Sequence, residues 1–391
     1  MTSFDDLPLP PSDALKKSLA LSDIIKKEIA AQKGLISFST FMTLALYHPQ
    51  WGYYNADNFK IGAAGDFTTA SEISPLYAQC FAKQCLALFP QLDTNNILEL
   101  GAGSGRFAKD LLFTLEKNNQ LPEKYFIYEI SENLRKQQQI FLKSTCPNFA
   151  ERIHWLEELP SHFTGIIIAN EVLDALPTHC FRIENNDIYE RSVTYHHNEF
   201  AWRLQKPTQD LAEKARILYE QYAFANAYEL EINLHVARLI KALANTLSCG
   251  ILFFADYGYG QQELYHPERR HGSLTCFYKH HKHHNPLIFP GLQDITTHVD
   301  FTTVAESAID CGLKLQAYTS QSAFLLANGL LALAAEAEKN LSSIEEFHLH
   351  QAIKTLTLPT EMGDRIKIMV LSKNKQFVLP NFTFQDRRRE L

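Results

Sequence analysis

A doubly wound α/β fold, in which helices cover both faces of a mostly parallel sheet, is predicted by three observations. Short apolar stretches alternate with helical patterns through the middle of the chain. One of them, Ile97-Leu98-Glu99-Leu100, runs straight into Gly101-Ala102-Gly103-Ser104-Gly105 and then into a helical pattern. Acids stand where two further strands end, at Glu129 and Glu171. An N-terminal helical segment and a β-hairpin/helical insertion are expected around this core.

From the N-terminus, Leu15, Leu19, Leu21, Ile25 and Ile29 fall mostly four apart with lysines between, which predicts a helix over 12–33 stopped by Gly34. A short helix is expected over 37–46, a loop or short hairpin over the aromatic, glycine-rich 47–69, and a helix over 71–89 ending at Pro90. The alternation follows, with strands at 96–100, 125–129, 152–156, 165–170 and 251–256 and helices at 106–117 and 132–144. Residues 178–246 interrupt it with two alternating segments, 180–188 and 189–204, and two helices, read as an insertion carrying a hairpin. After Tyr257, roughly 45 residues show little periodicity, and a loop that long inside a domain is usually functional or disordered. A strand at 313–319, helices at 322–338 and 343–355 and a last strand at 365–372 close the chain.

Hydrophobic residues are 46% and charged residues 21% of the 391, so the chain can bury a sizeable core. No apolar run approaches the roughly 18 residues that span a bilayer, so no membrane insertion is expected. A formal net charge of −7 gives the surface no general attraction for a polyanion. The two local basic stretches, Arg387-Arg388-Arg389 and 279–284, read as solvated surface, and no nucleic-acid partner is expected. Seven cysteines without a C-x-x-C pair argue for a reducing compartment. The first eleven residues carry Asp5, Asp6 and prolines but no targeting pattern, so a cytoplasmic location is expected.

The glycine loop carries the sharpest chemical signal. Without Cβ atoms, glycines allow a tight turn and let backbone N–H groups approach a ligand at the positive end of the next helix. The spacing is G-x-G-x-G, with Arg106 after the third glycine, and differs from the G-x-G-x-x-G of nicotinamide-binding proteins. It resembles motif I of class I S-adenosyl-L-methionine (SAM) dependent methyltransferases. Gly101, Gly103 and Gly105 are therefore candidate cofactor residues. Glu129, closing the next strand, has the two acceptor oxygens that a ribose diol requires.

The isoleucine strand ends in Asn170-Glu171-Val172-Leu173-Asp174-Ala175-Leu176-Pro177, at the sheet edge where open α/β folds bind ligands. Asn170 is a candidate cofactor residue. Methyl transfer is a direct displacement whose main demand is positioning. If the acceptor is a guanidinium, carboxylates can orient it through paired hydrogen bonds, and Glu171 and Asp174 are the candidates. Asp174 could instead cap the following turn, and Asp256, at a neighbouring strand end, could take either part. The histidines between His266 and His298 lack a ligand framework at metal spacing, and no metal is expected.

With these motifs in order, the chain resembles the MidA-type family of SAM-dependent methyltransferases. The resemblance rests on Tyr47-His48-Pro49, Trp51-Gly52-Tyr53-Tyr54, Gly65 to Ser74, the glycine loop, 170–177, Asp256-Tyr257-Gly258 and Pro290 to Phe301. One departure is Ser71, where many relatives have proline. The resemblance implies a class I methyltransferase fold whose aperiodic segments cover the cofactor, giving Asp66, Thr69 and Glu72 a place in that site. It divides the chain into a covering segment, 1–90, and a methyltransferase domain, 91–391, with the insertion at 178–246 and a lid at 257–301. It also implies a protein substrate methylated on nitrogen, arginine in the first place, and by family analogy a subunit of respiratory complex I. A SAM-binding assembly factor or scaffold without transfer remains the alternative; Arg106 disfavours a nicotinamide oxidoreductase. The helical segments at the N-terminus and near Ser322 suit a homodimer interface as well as a cover for the sheet.

Overall fold

In the computed structural model, residues 7–55, 68–380, 382 and 385–391 are described. The central sheet has seven principal strands: β1 (Ile97–Leu100), β2 (Tyr125–Tyr128), β3 (Ile153–Leu156), β4 (Phe163–Asn170), β5 (Leu247–Tyr259), β6 (Lys314–Ser320) and β7 (Ile366–Lys373). They stand in the order 6-7-5-4-1-2-3. Strands β1 to β5 are parallel, and β7 runs antiparallel between β5 and β6. A short strand, Val299–Asp300, extends the sheet beside the end of β5.

Both faces of this sheet are covered, which explains why its strands read as unbroken apolar runs. Ile166, Ile168, Ile251 and Phe253 enter one core with Phe81 and Phe107 from helices Pro75–Leu88 and Arg106–Lys117. Their neighbours Ile167, Ala169, Leu252 and Phe254 enter the opposite core with Ile240 and Phe301 from helices His235–Thr246 and Phe301–Asp310. Two expected helices are interrupted. Ser74 caps Pro75–Leu88 and separates it from Ala70–Ile73. Gly329, at φ +83°, separates Gln321–Ala327 from Leu330–Glu338.

The insertion contains more than the expected hairpin. His179–Glu184, Asp187–His196 and Glu199–Gln205 form a meander, and Ile36–Ser37 and Glu229–Ile232 complete a five-stranded antiparallel sheet. Its two tight turns are Asn185-Asn186 and His197-Asn198, with φ between 51° and 68° at all four residues, the left-handed pairing favoured in two-residue hairpins. The expected segment 189–204 ran through the second turn because His-Asn is a far weaker signal than Asn-Gly. Helices Ser12–Ala31 and Phe38–Tyr47 lie on this second sheet, where Leu21, Ile25, Phe38 and Phe41 share a core with Cys180 and Val193.

Residues 257–301 are also more regular than their sequence suggests. They hold a three-stranded antiparallel sheet of Thr275–Tyr278, His281–His283 and Asp294–Thr296. Strands of three or four residues are too short to show an alternation. Cys276 and Ile295 from this sheet join the core beneath the N-terminal helices, tying the two covering segments together.

Candidate active site

The carboxyl ends of β1, β2 and β4 open onto a cavity of about 220 Å³ that is also lined by Tyr47, Tyr54, Thr69, Glu72, Asp294 and Thr296. The glycine loop forms one side. Gly101, Gly103 and Gly105 have φ of +62°, +52° and +83°, conformations that side chains rarely adopt. A Cβ on Gly101 would also stand 3.2 Å from Val172 Cγ2, so the residue keeps the loop against the end of β4. Helix Arg106–Lys117 starts directly behind the loop and turns its N-terminal amides toward it.

Glu72 braces this loop from the N-terminal segment. Its carboxylate accepts a hydrogen bond from Ser104 Oγ and pairs with Arg106 Nε at 3.0 Å. Thr69, at the N-cap position of the short helix Ala70–Ile73, shares a hydrogen bond of 3.0 Å with Ser71. The serine that departs from the family pattern thus supplies a local contact of its own. Asp66 lies outside the described residues.

Glu129 is 5% exposed. One of its oxygens accepts Ser131 N–H and the other accepts Gln138 Nε2, each at 3.0 Å. Gln138 also donates to Gly103 O at 3.0 Å and accepts Trp155 Nε1 at 3.1 Å, locking the glycine loop to the acid beside it. Each carboxylate oxygen has two lone-pair sites, more than these bonds use, so acceptor capacity remains for the hydroxyls of a vicinal diol. Burial raises the pKa of Glu129, while the Ser131 and Gln138 hydrogen bonds oppose that shift.

On the opposite side, Glu171 occupies the left-handed region at φ +51°, uncommon for a residue other than glycine. Its own N–H donates to Ala255 O at 2.8 Å. Its Oε1 accepts Ala70 N–H at 3.0 Å and Asn170 Nδ2 at 3.4 Å. Asn170 is itself fixed by Tyr77, whose hydroxyl donates to Oδ1 at 2.5 Å. Asn170 therefore orients Glu171 in addition to lining the cavity.

Asp174 is buried and lines the same cavity. Asp256 is committed to the chain: its Oδ2 accepts the N–H groups of Val172 and Leu173 at 3.0 and 2.7 Å, and its Oδ1 accepts that of Tyr257 at 2.9 Å. It fixes the turn that carries Glu171 and Asp174. Burial, reinforced by the neighbouring acids, pushes Glu171 up to about 8 and Asp174 well above the usual carboxylate range. Acids packed this closely favour a positively charged occupant, which relieves their repulsion.

The structure thus brings together Gly101, Gly103, Glu129, Thr69, Glu72, Asn170, Glu171 and Asp174 around one cavity, with Gly105 behind it at the helix start. Sequence reasoning gave no role to Tyr47, Tyr54, Asp294 or Gln138. Tyr54 and Asp294 are hydrogen bonded across 240 positions of sequence. The motifs containing them were visible, but the contact between them was not.

Comparison with known proteins agrees with this geometry. A family described as S-adenosyl-L-methionine-dependent methyltransferases matches residues 80–319. The chain is 27% identical to the mitochondrial protein arginine methyltransferase NDUFAF7 homolog of Drosophila melanogaster, with 86% of this chain and 82% of that one covered. It is 28% identical to mitochondrial NDUFAF7 of Danio rerio, covering 91% and 87%. Those names overturn the expectation of a cytoplasmic protein. A solved methyl transferase from Burkholderia thailandensis, bound to S-adenosyl-homocysteine, is 33% identical and superposes with a TM-score of 0.93 over 99% of this chain and 100% of its own.

Proposed function

Because the chain belongs to the MidA-type family of SAM-dependent methyltransferases, we propose that it methylates an arginine side chain of a protein, with Glu171 and Asp174 orienting the acceptor nitrogen. The observation that carries this reading is the convergence of Glu171, Asp174 and Asp294 on the cavity beside the glycine loop. A guanidinium is planar, cationic and able to donate to two carboxylates at once. The arginine methyltransferase names of the relatives from Drosophila melanogaster and Danio rerio support the same choice. Within that reading, the family analogy points to an arginine of a respiratory complex I subunit.

The glycine loop and Glu129 are the residues that would hold SAM, and their conformations fit that task. When bound, SAM supplies a methyl group on a positively charged sulfur. Moving that methyl to a guanidinium nitrogen breaks the C–S bond, forms a C–N bond and releases one proton from the nitrogen. Glu171, whose pKa is raised to about 8, is the group suited to receive this proton once the pH is high enough to ionise it. Its strained backbone and its bonds to Ala70 and Asn170 hold the carboxylate at one orientation. Asp174, three residues further along the same turn segment, completes the pairing surface.

Incubation of the protein with methyl-labelled SAM and a cell lysate should place label on protein, and hydrolysis should yield methylarginine. Label confined to lysine, to carboxyl groups or to small molecules would rule out arginine as the acceptor.

A further inference from the structure

Tyr47 and Tyr54 stand side by side in the cavity wall, their ring centroids 5.4 Å apart and their planes tilted by 34°. Tyr47 donates its hydroxyl hydrogen to Ala175 O at 2.8 Å. Tyr54 donates its own to Asp294 Oδ1, also at 2.8 Å, and Asp294 is only 1% exposed. A phenol has one hydrogen and two lone-pair sites. With that hydrogen committed to the protein, each tyrosine can offer a ligand only lone pairs and a ring face. Burial and the nearby acids raise both phenols further from ionisation, so they act as neutral dipoles. Lone pairs and ring faces both attract positive charge.

The position of this wall narrows the choice of cation. Tyr54 is anchored beside Glu129, because Ser131 Oγ donates to its carbonyl at 2.7 Å. Tyr47 is anchored beside Asp174, through the carbonyl of the next residue. In SAM the sulfur lies between the ribose and the methyl group that is transferred. If the ribose is held by Glu129 and the acceptor by Glu171 and Asp174, the sulfur falls in the interval that the two tyrosines span.

We propose that Tyr47 and Tyr54, the latter fixed by Asp294, recognise the sulfonium of SAM and make the cavity prefer SAM to S-adenosyl-homocysteine. This rests on the reading that the cavity holds SAM with its ribose at Glu129. Loss of the methyl leaves an uncharged sulfur with lone pairs of its own, which this wall does not attract. The same feature that selects the substrate therefore favours release of the product.

Calorimetric titration of the full chain with SAM and with S-adenosyl-homocysteine tests this directly. The wild type should bind SAM about tenfold more tightly. Tyr54→Leu should weaken SAM about tenfold, change S-adenosyl-homocysteine by less than about twofold, and so abolish the preference. Tyr54→Phe keeps the ring and its packing, should lose about threefold of the preference, and carries the test if the leucine variant does not fold. Equal weakening of both ligands, no effect on either, or a wild type without preference would overturn the proposal. A wild type that binds neither ligand would instead contradict the placement of SAM in this cavity.

Discussion

Replacing Glu171 by glutamine should slow methyl transfer about a thousandfold while changing SAM affinity less than about threefold. Glutamine retains the side-chain length and an oxygen that can accept Ala70 N–H, so the loop keeps its shape. What disappears is the negative charge facing the acceptor and the site that takes its proton. An interaction needed only as the new bond forms should lower kcat and kcat/KM together. The pH dependence adds a second signature. In the free protein burial raises Glu171 to about 8, so below that value the carboxyl is largely protonated and inactive. For wild type, kcat/KM should therefore rise with pH through about 8 and level off above it; in Glu171→Gln that rise should be lost. Single-turnover transfer measured from pH 6 to 9 checks both points. A variant with full rate and the same pH profile would remove Glu171 from the chemistry.

Replacing Glu129 by alanine should weaken SAM about a hundredfold. Two hydrogen bonds from ribose hydroxyls to an ionised acid contribute roughly 1.5–3 kcal/mol each, but water replaces part of that in the variant. The substitution also leaves Ser131 N–H and one hydrogen of Gln138 Nε2 without their acceptor, loosening the contact that Gln138 makes with the glycine loop. Glu129→Gln, which keeps an oxygen, should fall between the two. Calorimetry on wild type and both variants measures the order. Unchanged affinity in Glu129→Ala would show that the ribose is held elsewhere.

Much of this site could be read from sequence because it lies in short continuous runs. The 97–105 stretch states a buried strand, a glycine turn and a helix start in nine positions, and the acids at 129, 171 and 174 each follow a recognisable strand. The mostly parallel sheet and its two covered faces followed from the same alternation. What escaped was decided by distant contacts or by unusual local conformations. Glu171 adopts a left-handed backbone that nothing in its residue type announces. Asp256 is indistinguishable in sequence from an acid that touches ligand, yet three backbone N–H groups occupy it. Glu72 lines the cavity, and the contacts its carboxylate makes there, to Ser104 of the glycine loop and Arg106 at the helix start, are not announced by its sequence position. Tyr54 precedes the first strand of the central sheet and Asp294 lies between β5 and β6, so the two meet only after the covering segments fold together.

The most direct test of the site as a whole is a crystal structure of this protein with S-adenosyl-homocysteine. The ribose hydroxyls should lie within hydrogen-bond distance of Glu129, with the sulfur turned toward Glu171 and Asp174 and bordered by Tyr47 and Tyr54. A ligand bound with its ribose away from Glu129, or with its sulfur facing away from the two acids, would contradict the assignment.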